Sequence, residues 1–90
     1  MQQTNWFVYI LRCRDNSLYT GVTTDCERRL HEHNHTPRGA KYTRARRPVT
    51  LAYTEAAANR SSAQQREAQI KRLSAAQKEA LITSASVSAD

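Results

Sequence analysis

Ninety residues make one domain, at the lower end of what folds without disulfides or metals. Only 39% are hydrophobic, no apolar run approaches the roughly 20 residues of a membrane span, and no signal-peptide pattern opens the chain. Fourteen Lys and Arg against eight Asp and Glu leave a formal charge of +6, which nominates a polyanion as partner.

In chain order, residues 6–13 are apolar, aromatic and β-branched and read as a strand with few solvent-facing positions. Asp15-Asn16-Ser17 is a turn cluster, and Leu18 to Val22 reads as the returning strand of a hairpin. Gly21 inside that strand signals a bulge or a close approach by another group. Thr24, with Glu27 three residues on, is expected to cap a helix running to about Asn34. Pro48 introduces a third strand, Val49 to Thr54. Ser61 or Ser62 is expected to start a second helix, and Ser74 with Gln77 a third, ending near Ile82. Residues 84–90 read as a flexible tail after a single domain over 1–83. The order ββαβαα argues for a small α+β domain, a sheet covered by helices. Cys13 and Cys26 lack CxxC or metal-like spacing and are expected to be reduced thiols of a cytoplasmic protein.

Helical spacing places chemistry where apolar side chains belong. At ~100° per residue, Cys26 and Leu30 define the first helix's apolar stripe, and Arg29 and His33 fall on the same side. Charged or polar groups on an inward face are costly without partners, and the hydroxyls of Tyr9 and Tyr19 are the candidates. Packing offers a competing account, with Arg29 snorkelling and His33 bonding a carbonyl. In the second helix Ala63, Glu67 and Ile70 stand at i, i+4 and i+7, so Glu67 falls in the apolar stripe. A salt bridge to Arg29 or Lys71 would explain it structurally. An assembled site would explain it together with Arg29 and His33. Such a set suits phosphodiester hydrolysis, with one carboxylate for a hydrated Mg²⁺ and a guanidinium fork for phosphoryl oxygens. A phenol can deprotonate water only if nearby cations depress its pKa from about 10. Arg38, Lys41, Arg44, Arg46 and Arg47, with Tyr42 among them, form a basic stretch suited to tracking a nucleic-acid backbone and stacking one base. His31 and His35, four apart on a helix, find no further ligands to complete a zinc site.

These residues also carry a resemblance. The chain resembles the GIY-YIG nuclease superfamily, with Val8-Tyr9-Ile10 and Tyr19-Thr20-Gly21 at its two signature motifs. Arg29 and His33 lie on a helix similar to the family's essential helix, and Arg66 to Lys71 resembles the later helix with the metal-binding Glu. From Trp6 to Ile82 it looks like the small stand-alone bacterial members. The resemblance implies a three-stranded antiparallel sheet and a divalent ion, Mg²⁺ or Mn²⁺, at Glu67. It further implies Arg29 against the scissile phosphate and Tyr9 and Tyr19 beside the attacking water, with His33 in the same site. The expected function is a metal-dependent endonuclease on DNA, branched or damaged structures included, with RNA left open. The alternative is a non-catalytic nucleic-acid-binding module that keeps the fold. A monomer is expected, with any specificity supplied by a protein partner.

Overall fold

The computed structural model describes residues 5–87. Three strands, β1 (Trp6–Arg12), β2 (Leu18–Thr23) and β3 (Thr50–Ala57), form an antiparallel sheet in the order β2-β1-β3. The central position of β1 explains its composition. Val8, Tyr9, Ile10 and Leu11 are all buried, because neighbours flank both edges and helices cover both faces. The hairpin turn forms as expected: Asp15 Oδ1 accepts from the Ser17 amide at 3.0 Å, and Asn16 adopts φ 71°, which asparagine tolerates.

Helices α1 (Cys26–His35), α3 (Arg60–Lys71) and α4 (Ala75–Val87) follow the expected order, with one short addition, α2 (Lys41–Arg44). The first two caps differ from the expected ones. Asp25 caps α1 by accepting from the Arg28 amide at 3.0 Å, and Asn59 caps α3 by accepting from the Ser62 amide at 2.8 Å. Ser61 and Ser62 rank with Asn59 as cap types and Thr24 only a little below Asp25, so propensity alone separates them weakly. The third cap is the expected reciprocal pair: Ser74 and Gln77 each receive the other's amide, at 3.1 and 2.9 Å.

Two ends differ. β3 extends to Ala57 because Glu55, Ala56 and Ala57 pair with Val8, Phe7 and Trp6, and the ladder overrides their weak strand preference. α4 continues to Val87, so residues 84–87, expected as tail, are helical; 88–90 lie outside the described residues. Alanine-rich sequence propagates a helix once a capped first turn exists.

Each sheet face has its own core. Val8 and Ile10 pack with Ala63 and Ile70 of α3 and Ile82 of α4. Tyr9, Leu11 and Cys13 pack on the other face with Val49, Tyr19, Cys26 and Leu30. Both cysteines are free thiols. Among the described residues no helix is long and apolar enough to cross a membrane.

Candidate active site

The α1 face of the sheet is where phenols, imidazole and guanidinium converge. Tyr9 pairs with Gly21 across β1 and β2, and its ring lies directly over that glycine. A Cβ at position 21 would stand 2.6 Å from Tyr9 Cζ, well inside contact distance. The close approach signalled by the sequence is therefore the Tyr9 phenol itself. Gly21→Ala should displace the ring and lower stability by about 1–3 kcal/mol, as overpacking does. A thermal melt checks this, and an unchanged melting temperature would mean the ring does not need the space.

His33 enters from α1, fully buried, as its place on the inward stripe implied. Its Nε2 lies 2.9 Å from the Tyr9 hydroxyl, and its Nδ1 lies 2.8 Å from Thr43 Oγ1. The Ala40 amide also donates to Nδ1 at 3.3 Å. The Thr43 hydroxyl in turn donates to the Ala40 carbonyl at 2.9 Å, so both ring nitrogens of His33 are engaged, one by the Tyr9 hydroxyl and the other by Thr43 and the Ala40 amide. Tyr19 completes the cluster, its ring edge-on to His33 with centroids 5.3 Å apart.

The electrostatics correct one expectation. Burial pushes the Tyr9 pKa up to about 12, despite the opposing Arg29 charge, so Tyr9 stays a protonated phenol at neutral pH. With Arg29 as its neighbouring cation it is a hydrogen-bonding phenol at neutral pH, and not the base that a depressed pKa would make it. Burial, reinforced by Arg29, lowers His33 from 6.5 to about 4. An unfolded chain therefore binds a proton below pH 6.5 that the folded one refuses, and stability falls as pH drops. Between pH 6.5 and 5 the loss should be about 1.5 kcal/mol, since the slope reaches its full ~1.36 kcal/mol per pH unit only once the unfolded histidine is fully protonated. His33→Gln should flatten melting temperature against pH in that window, and an unaltered slope would contradict the assignment.

Arg29 is partly buried, as its place on the stripe required, but its Nη1 binds Glu32 Oε1 at 2.9 Å and the Arg38 carbonyl at 2.9 Å. Glu32 was legible as its i+3 neighbour. The guanidinium still lies close enough to Tyr9 to favour the phenolate, and Glu67 close enough to disfavour it. Glu67 makes the salt bridge to Lys71 that is the structural alternative, and it is less buried than the helix pattern suggests. Its side chain is 22% exposed and pairs with Lys71 at 3.3 Å, one turn on. The stripe is narrow here, so Ala63 and Ile70 are buried while Glu67 sits at its edge. Among the described residues no three His, Cys, Asp or Glu side chains converge. A single carboxylate such as that of Glu67 is a donor of the hard oxygen type that a mostly hydrated divalent ion accepts.

The basic stretch divides in two. Arg38, Lys41 and Arg44 are exposed. Arg47 instead closes the end of α1, its Nε donating to the His33 carbonyl and its Nη2 to the Thr36 carbonyl, both at 2.5 Å. Carbonyls at a helix C-terminus lack intrahelical partners and attract a cation, which explains the departure from the expected phosphate contact. Arg46 is held by Asp15 at 3.1 Å and lies over the Tyr42 ring, 3.8 Å from its centroid. Thr43 and Ala40, which hold His33, carry no periodic signal and were not legible.

A profile described as the GIY-YIG catalytic domain matches residues 5–80. The chain is 56% identical over 66 residues to the UPF0213 protein DP2720 of Desulfotalea psychrophila, spanning 73% of this chain and 60% of that one. It is 54% identical over 65 residues to the UPF0213 protein SH2523 of Staphylococcus haemolyticus, spanning 72% and 78%. Two solution NMR structures are similar. One is the UPF0213 protein BH0048 from Bacillus halodurans, with a TM-score of 0.56, 46% identity and coverage of 88% and 83%. The other is EF2693 from E. faecalis, with a TM-score of 0.63, 43% identity and coverage of 96% and 91%.

Proposed function

Because the chain belongs to the GIY-YIG catalytic-domain family, we propose that it is a metal-dependent endonuclease that hydrolyses DNA phosphodiester bonds. The observation that carries this reading is the convergence of Tyr9, Tyr19 and His33, with the charges of Arg29 and Glu67 felt at the Tyr9 hydroxyl. In hydrolysis a water oxygen forms a new bond to phosphorus while an ester P–O bond breaks and its oxygen takes up a proton. Negative charge grows on the phosphoryl oxygens, and Arg29 is the fork suited to stabilise it. Glu67 would hold Mg²⁺ or Mn²⁺, which supplies Lewis acidity at the phosphate and the leaving oxygen. His33, neutral at pH 7, holds the Tyr9 hydroxyl in place through Nε2, and Tyr9 and Tyr19 orient the attacking water.

The enzyme is read as a cytoplasmic monomer acting on branched or damaged DNA, with any further specificity coming from a protein partner. Purified protein should cut plasmid or branched DNA with Mg²⁺ and leave it intact with chelator. Binding without cleavage under every metal condition would make it a nucleic-acid-binding module instead. The exposed cations Arg38, Lys41 and Arg44 supply the phosphate contacts. Replacing all three with Ala should weaken binding to unrelated sequences alike and reduce the slope of log K against log salt by about 0.9 per lost phosphate contact. An unchanged slope would place the DNA elsewhere.

A further inference from the structure

We propose that Tyr42 is a positioning residue for Tyr19, and that the α2 segment clamps the reacting groups as well as carrying phosphate-facing cations. Tyr19 stands on an edge strand and is only half-buried, so its ring position depends on the side chains around it. Beyond its packing on the core around Tyr9 and Leu11, two ring contacts orient it: the edge of His33, and the ring of Tyr42, stacked with centroids 6.1 Å apart and planes 24° from parallel.

Tyr42 is itself held from outside. The Arg46 guanidinium lies 3.8 Å from the Tyr42 ring centroid, and its Nη1 donates to the Tyr42 carbonyl at 2.9 Å. Arg46 Nε binds Asp15 at 3.1 Å, and the Arg46 carbonyl accepts from the Arg14 amide at 3.0 Å. Asp15 is steadied in turn by the Ser17 amide and hydroxyl, at 3.0 and 2.6 Å. A chain of contacts therefore runs from the β1–β2 turn through Arg46 and Tyr42 to the Tyr19 ring. The next residue, Thr43, grips His33 from the same helix. A nucleobase stacking on Tyr42 would compete with the guanidinium that already covers it, which argues against the base platform suggested by the sequence pattern.

The kinetic part of this inference rests on the proposed nuclease reading; the structural part does not. Tyr42→Leu removes the stacking ring at a side chain that is 39% exposed, so the fold should survive. Its single-turnover rate at saturating DNA should fall about 10- to 100-fold, as small misplacements of reacting groups do, with Kd unchanged within about twofold. Tyr42→Phe keeps the ring and should restore the rate, whereas Arg46→Gln should lower it without loss of binding. In the NMR spectrum the Tyr19 ring signals should move downfield in Tyr42→Leu, as shielding by the neighbouring ring is lost, and stay in place in Tyr42→Phe. Weakened DNA binding with a normal saturating rate would overturn the proposal in favour of base stacking. Should wild type itself fail to cleave, the nuclease reading falls, and unmoved Tyr19 ring signals would then separately overturn the clamp.

Discussion

Glu67→Gln should abolish cleavage at ordinary Mg²⁺ concentrations while leaving the fold and DNA binding intact. The amide keeps size and polarity but loses the negative charge proposed to recruit a hard cation. Because, among the described residues, Glu67 pairs along its own helix with Lys71, whose side chain is 54% exposed, the stability cost should be small. An i,i+4 pair contributes about 0.3–0.5 kcal/mol. DNA binding should stay level or tighten, since a negative charge near phosphate is gone. The checks are cleavage across an Mg²⁺ titration, a melt and a binding isotherm. Retained cutting would end the metal assignment, and a large drop in melting temperature would show a structural carboxylate instead.

Arg29→Ala should reduce cleavage about 10³-fold or more, the order seen when a guanidinium that stabilises transferring phosphoryl charge is removed. Arg29→Lys should recover little, because a point charge cannot reproduce a planar fork. Some stability will go as well: the mutation releases Glu32 and the Arg38 carbonyl. The loss should be about 1 kcal/mol, typical of a partly exposed charge-assisted hydrogen bond. Single-turnover rates measured below each variant's melting temperature separate the two effects. Near-normal cleavage by Arg29→Lys would show that charge alone suffices and that the fork has no role.

Helix α1 shows how far periodicity carries and where it stops. The spacing of Cys26, Leu30 and His33 sufficed to turn His33 inward, because an amphipathic helix on a sheet has one buried face. The same rule identified Glu67 but overstated its burial. Stripe membership gives an angle, and not the distance to which a neighbouring element closes over it. The partners of His33 illustrate the second limit. Thr43 lies ten residues on, in a segment whose composition resembles a solvated basic loop, and only the packing of α2 against α1 brings its hydroxyl to Nδ1.

The order of elements, the hairpin, the inward placement of Arg29 and His33 on α1 and the Ser74–Gln77 cap were determined by sequence alone. Each depends on interactions within a few residues or on a repeat of fixed period. Tertiary structure alone decided that Gly21 makes room for the Tyr9 ring. It also decided that burial raises Tyr9 while lowering His33, and that Arg46 and Arg47 serve the fold rather than face solvent. Those outcomes depend on desolvation and on contacts between residues far apart in the chain. A cation in a basic stretch looks the same in sequence whether its partner will be a phosphate, a helix terminus or an aromatic ring.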